Sequence, residues 1–273
     1  MTTANHPESP LQAEHISVGY DNQYVLDALS LDIPAGEMTV IIGPNGCGKS
    51  TLLKSLARLL SPQTGAVRLE GDVIAHQRTR DIARRLGILP QSSHAPDDIR
   101  VRDLVARGRY PHRGLLTRWR EQDERAVSKA MTATGVTSLA DRRVDTLSGG
   151  QRQRVWLAMV LAQQTPTLLL DEPTTWLDVA YQIELLELMN HLRRDHGKTL
   201  VMVLHDLNQA CRYATHLVAM KAGHIIAQGR PADIVTPDMI DTVFGLKCVV
   251  IEDPIAHTPM IVPLGGYAHD TPQ

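Results

Sequence analysis

An α/β fold is predicted by three features of this 273-residue sequence. Apolar runs of strand length stand at positions 38–42, 168–170 and 199–204, the second ending at Asp171-Glu172 and the third at His205. A glycine-rich loop and then leucines at helical spacing follow the first run. Such runs, apolar without alternation, suit strands covered by helices on both faces. Strands interleaved with helical patterns point to a mainly parallel sheet, whose ligand crevice opens at the carboxyl ends of the strands.

The loop is Gly43-Pro44-Asn45-Gly46-Cys47-Gly48-Lys49-Ser50-Thr51, which matches the phosphate-binding pattern G-x-x-x-x-G-K-[ST]. Glycines let backbone N–H groups crowd around phosphate oxygens, and the following helix start adds partial positive charge. Leu52, Leu53, Leu56, Leu59 and Leu60 form the apolar stripe of that helix. Lys49 is expected to reach the β- and γ-phosphates of a nucleotide, and the Ser50 hydroxyl to ligate Mg²⁺.

Bulk properties exclude several classes. With 43% apolar and 21% charged residues, the composition is that of an ordinary soluble globular protein. A net charge of −2 argues against general nucleic-acid or anionic-membrane binding. Cys47, Cys211 and Cys248 are scattered, without metal-ligand or redox spacing, which suits a reducing compartment. The polar start, with two prolines in residues 1–10, is expected to be a flexible tail and not a signal peptide. No apolar run approaches the ~20 residues of a membrane span. A cytoplasmic protein is expected, held at any membrane by something else.

From residue 11 onward short strands and turns are expected: Ile16 and Val18 alternate, Leu29, Leu31 and Ile33 follow, and Pro34–Glu37 is a turn. Residues 66–70 alternate and end at a Gly71-Asp72 hairpin turn, giving a small antiparallel sheet over the nucleotide. Tyr20 is either an ordinary strand-end tyrosine or a ring on a loop beside the phosphate site, where a π-face can stack on a base; Tyr24 is its rival. A short strand at 87–89 leads to Gln91. Residues 96–146 then read as helices, with Ala126, Val127, Ala130 and Met131 on one stripe ended by Gly135. Arginines crowd positions 100–125, as a solvated face or as a docking surface.

Leu147-Ser148-Gly149-Gly150-Gln151 opens another helix, and a Ser-Gly-Gly turn at a helix start is a second anion-binding nest. One phosphate chain rarely needs two nests, so the second is expected to serve another site. Asp171 and Glu172 end the 168–170 strand. Asp171 is placed to hold Mg²⁺ and Glu172 to orient or deprotonate an attacking water, against the simpler reading of a helix cap. His205 ends the 199–204 strand, placed to hydrogen-bond a γ-phosphate, against the simpler reading of a satisfied polar residue.

In this order, the phosphate loop, Gln91, Leu147–Gln151, Leu170-Asp171-Glu172 and His205 resemble the nucleotide-binding subunit of an ABC transporter, across residues 11–235. The resemblance implies a P-loop NTPase fold with a RecA-like core (11–95 and 163–235), an antiparallel β subdomain and an α-helical subdomain (96–162), leaving 236–273 as an extension. It implies an ATPase using ATP and Mg²⁺. Lys49, Gln91, Glu172 and His205 would be catalytic, Ser50, Gln91 and Asp171 metal-binding, and Tyr20 on adenine. It further implies a head-to-tail homodimer in which Ser148, Gly149, Gly150 and Gln151 of one copy close on the ATP of the other, with Asp178 in a loop crossing the interface. Two membrane permease subunits, and indirectly a substrate-binding protein, would be partners at the cytoplasmic face of the membrane.

A finer resemblance is to iron–siderophore importers of the ferric enterobactin type. It is carried by Ala106-Arg107-Gly108-Arg109-Tyr110-Pro111-His112, Thr117-Arg118-Trp119-Arg120, Thr174-Thr175-Trp176-Leu177-Asp178 and residues 205–213. Haem, cobalamin or a metal oxyanion is the alternative cargo. The interval from Gln91 to Ser148 is too short for the coiled coil of a chromosome-type ABC ATPase, and the chain carries one cassette where the translation-associated type carries two. A GTPase is excluded by the lack of an Asn-Lys-x-Asp element.

Overall fold

The computed structural model describes residues 9–20, 23–91, 95–113 and 118–265. The chain runs through β1 (Leu11–Tyr20), β2 (Gln23–Ile33), β3 (Met38–Ile42), α1 (Lys49–Leu56), β4 (Thr64–Leu69), β5 (Asp72–Val73), α2 (Thr79–Arg85) and β6 (Leu86–Leu89). It continues as α3 (Val101–Ala106), α4 (Glu121–Ala133), α5 (Gly149–Ala162), β7 (Thr167–Asp171), α6 (Val179–His196), β8 (Thr199–Val203) and α7 (Leu207–Tyr213). It ends with β9 (His216–Lys221), β10 (His224–Gly229), α8 (Pro231–Ile234), α9 (Pro237–Phe244), β11 (Cys248–Glu252) and β12 (Pro259–Pro263).

A six-stranded sheet of order β10-β9-β3-β8-β7-β6 forms the centre, parallel except for β10. Strands β3, β7 and β8 are buried at every position, which is why they read as unbroken apolar runs. Their side chains alternate between two cores. Ile41, Leu169, Val201 and Val203 pack with α1 and with the antiparallel sheet β2-β1-β4-β5. Val40, Leu168, Leu170, Leu200 and Met202 pack with the helices of the other face, Val155, Leu157 and Val160 of α5 among them.

Register decides what stands together. Ile41 pairs with Val203, and Val203 with Asp171, so the carboxyl ends of β3, β8 and β7 are level. Leu89 pairs with Leu170, which brings the exit of β6 to the same edge.

Two expectations need correction. The leucine stripe predicts a helix reaching Leu60, but α1 ends at Leu56. Arg58 takes a left-handed backbone (φ 57°) and donates to the carbonyls of Ile74 and Gln77, so local hydrogen bonding stops the helix and leaves Leu59 exposed. The arginine-rich stretch is not one solvated face either. Arg109 is buried, donates to Asp123 Oδ1 at 3.0 Å, and fastens the carbonyl of Ala162 at 2.8 Å. Burial works against the Asp123 charge, yet the hydrogen bonds from Arg109 and the Arg120 amide outweigh it and hold the carboxyl below its ordinary range. Thr117, part of the finer resemblance, and residues 1–8 of the expected tail lie outside the described residues.

Candidate active site

The phosphate loop leaves β3 at Gly43 and enters α1 through Gly48. Gly48 has φ 103°, and a Cβ there would stand 2.7 Å from Leu26 Cδ2, so only glycine fits. Pro44 O accepts from the Cys47 amide at 3.3 Å, and Asn45 and Gly46 form the exposed tip. Cys47 is buried and packs in the core under the loop, and burial raises its pKa against the opposing charge of Lys49. Lys49 is buried, with Nζ donating to Gly43 O at 2.8 Å and Pro44 O at 2.9 Å. The ammonium is thereby poised on the loop it would share with a phosphate chain. Thr51 accepts at its carbonyl from Ser55 Oγ, steadying the first turn of α1.

Across the sheet edge, Ser50 Oγ donates to Asp171 Oδ1 at 3.0 Å. Asp171 Oδ2 is buried and has no hydrogen-bond partner among the described residues. Burial raises the Asp171 pKa; the Ser50 hydrogen bond and the charges of Lys54 and Lys49 pull it down, and Glu172 pushes it up. A buried carboxylate oxygen lacking a donor, beside a serine hydroxyl, fits a hard divalent cation completed by phosphate oxygens. Among the described residues no group of three His, Cys, Asp or Glu side chains gathers to hold a metal alone, so a cation here needs the nucleotide's oxygens.

Glu172 turns the other way. Its backbone is left-handed (φ 51°), which costs an L-residue roughly 1–2 kcal/mol and separates two adjacent carboxylates into two surroundings. Its oxygens accept from Gln91 Nε2 at 2.9 Å, His205 Nε2 at 2.7 Å and Thr175 Oγ1 at 3.3 Å. Lys49, Ser50, Gln91, Asp171, Glu172 and His205 thus meet at one edge. Thr175 was not anticipated; nothing marks its hydroxyl in the sequence beyond its place three residues after Glu172.

The remaining candidates form a second group. Ser148 caps α5: its Oγ accepts from the Gln151 amide and Gln151 Oε1 accepts from the Ser148 amide, both at 3.2 Å. Ser148, Gly149, Gly150, Gln151 and Asp178 line one depression of about 320 Å³, together with Trp176 and Tyr181. Asp178 caps α6 by accepting from the Tyr181 amide at 3.0 Å. Trp176, 77% exposed and left-handed (φ 68°), stands between the two groups on the 172–178 loop. The side chain of Tyr20 lies outside what is described, whereas its rival Tyr24 is exposed at the start of β2.

Comparison with known proteins places this arrangement. A family model described as ABC transporter matches residues 26–175. The chain is 58% identical over 261 residues, 96% of each chain, to the ferric enterobactin transport ATP-binding protein FepC of Escherichia coli (strain K12). It superposes with a TM-score of 0.79 and 28% identity on a metal-chelate type ABC transporter in an inward-facing conformation, covering 94% of this chain and 97% of that one. It superposes with a TM-score of 0.74 and 25% identity on the dimeric bacterial ABC transporter cassette MJ0796, covering 81% and 98%. With its phosphate loop, its two acidic residues and its Ser-Gly-Gly turn on this scaffold, the chain belongs to the ABC transporter family, as one of its ATP-binding, ATP-hydrolysing subunits.

Proposed function

We propose that the chain energises uptake of iron(III)–siderophore chelates, as a peripheral subunit on the cytoplasmic face of the membrane. Its 58% identity along nearly the whole chain to a ferric enterobactin subunit supports this cargo over haem, cobalamin or a metal oxyanion. Among the described residues no helix is long and apolar enough to cross a membrane, so transport would need two integral membrane permeases, fed by a substrate-binding protein.

The observation that carries the hydrolytic part is the Glu172 carboxylate, held by Gln91 and His205 beside the Ser50–Asp171 pair. ATP phosphates lie along the loop 43–51, with the Lys49 ammonium moving from the Gly43 and Pro44 carbonyls to phosphate oxygens. Ser50 and Asp171 would hold Mg²⁺, which supplies charge neutralisation at the phosphates when bound. Glu172 orients the attacking water and accepts its proton, while His205 and Gln91 fix the carboxylate's angle. Ser148, Gly149, Gly150 and Gln151 serve the nucleotide of a second copy, across an interface that includes Asp178. Tyr20 stacks on adenine. The test is uptake of radio-iron-labelled ferric enterobactin by cells whose only copy of this subunit is the wild-type chain or Glu172→Gln. Loss with the variant, with haemin uptake untouched, is expected; unchanged siderophore uptake overturns the assignment.

A further inference from the structure

We infer that Arg154 and Tyr181 are a positioning pair that locks the Ser148–Gln151 turn onto the 172–178 loop of the same chain, and that turnover depends on it while nucleotide binding does not. This rests on the reading of Glu172 as the hydrolytic carboxylate.

Arg154 lies on α5 three residues past Gln151, on the same side of the helix. Its guanidinium carbon stands 4.2 Å from the ring centroid of Tyr181, in the first turn of α6. Arg154 Nε is buried and has no hydrogen-bond partner among the described residues, and the Tyr181 ring is the contact made by the guanidinium face. A planar guanidinium can lie flat on the ring; an ammonium cannot.

The pair sits where the two turns are already pressed together. A Cβ on Gly150 would be 3.1 Å from the carbonyl oxygen of Trp176, so the α5 start and the 172–178 loop meet there closely. Each member of the pair has a glutamine neighbour gripping the same loop: Gln153 donates to Pro173 O at 3.4 Å, and Gln182 to Leu177 O at 3.0 Å. Beside the stack opens a cavity of about 400 Å³ walled by Leu157, Leu177, Leu185 and Leu188. Leu157, Leu177 and Leu185 are buried in one core cluster below this opening, and Arg154 and Tyr181, which also line it, add the contact that joins the starts of α5 and α6 at its rim. If it is lost, the loop that starts at Glu172 can shift while the phosphate loop, on β3 and α1, stays in place.

Turnover of the purified full-length chain, binding of the fluorescent nucleotide TNP-ATP and thermal melting are measured for Arg154→Lys, Tyr181→Leu, their double variant and Tyr181→Phe. The expected result is a kcat about tenfold lower in each single variant. KM for ATP and TNP-ATP affinity are unchanged, the double variant is no slower than the singles, and Tyr181→Phe, which keeps the ring, has the wild-type kcat. Wild-type kcat in both single variants, additive losses, or a parallel fall in TNP-ATP affinity and melting temperature overturns the inference alone. A wild-type chain with no turnover overturns the functional reading and the inference with it.

Discussion

His205 Nε2 donates a hydrogen bond of 2.7 Å to the carboxylate of Glu172, joining the exits of two neighbouring strands, β8 and β7. The bond fixes the histidine tautomer with the proton on Nε2 and leaves the second carboxylate oxygen to Gln91, at 2.9 Å. An acid held from both sides keeps one angle toward the loop 43–51, which is what a water-orienting base requires.

Glu172→Gln keeps the shape and removes the base. Turnover is expected to fall at least a hundredfold with ATP binding intact. The variant should also accumulate as an ATP-bound dimer, visible on size exclusion. Lys49→Ala should instead lose binding, since the ammonium held on Gly43 O and Pro44 O is the phosphate loop's own charge. Normal turnover by Glu172→Gln removes that residue from its role.

Arg109→Ala is a stability test. It strands Asp123 as an uncompensated buried charge and frees the Ala162 carbonyl, so a loss of about 3–5 kcal/mol in denaturant unfolding is expected. Asp123 is also a source of acid sensitivity. Its folded pKa is depressed, so its contribution is complete above the ordinary carboxylate range and is lost as pH falls through the lower folded value. Asp123→Asn should flatten that acid limb; an unchanged pH profile rejects the account.

The division of the ATP site between two copies is tested by mixing. Ser148→Arg and Lys49→Ala chains should each be inactive alone. Mixed in equal amounts they should recover roughly a quarter of wild-type turnover, because half of randomly paired dimers are mixed and one of their two sites is whole. No recovery, or a wild-type rate that is unchanged by dilution to monomer, rejects the divided site.

The central sheet and its edge were legible because each step had a local cause. Apolar runs covered on both faces marked β3, β7 and β8, and the residues at their ends needed only parallel register to meet. The rest lacked such a cause. Arg109 sits among seven other arginines in 100–125, and its burial depends on Asp123 and on the end of α5. The stop of α1 depends on carbonyls of the 74–77 turn. Trp176 and Gly150 are 26 residues apart and touch only because α5 and α6 start side by side. Residues 236–265 gave no sequence signal, yet include α9 and the β11–β12 hairpin, with Cys248 and Ile261 reaching the core.

The membrane partner is expected to dock in the groove of about 520 Å³ among α3, α4 and the 107–113 turn. Two aromatic rings open onto it. Tyr110 is 59% exposed and Trp119 38% exposed, so neither is core, and Arg113 lies over the Trp119 ring at 5.4 Å. Docking surfaces draw most of their energy from a few aromatic and arginine anchors and little from rim charges, and this groove supplies both anchor types. Arg107 and Arg102 line the same groove, whereas buried Arg109 cannot contact a partner, so charge reversal at Arg109 would report folding and not docking. Single cysteines at Arg107, Tyr110 and Trp119, with the native cysteines replaced, should cross-link to the permease with a yield that changes on adding ATP. The reason is that Gln91 donates to Glu172 directly, so a change at the site would reach the residues that follow β6. Cross-links formed only from Val249 on β11 would move the dock to the other end of the chain. Tyr110→Ala should weaken assembly by about 1–2 kcal/mol while leaving ATP binding intact, and an undiminished complex would show that Tyr110 is not an anchor.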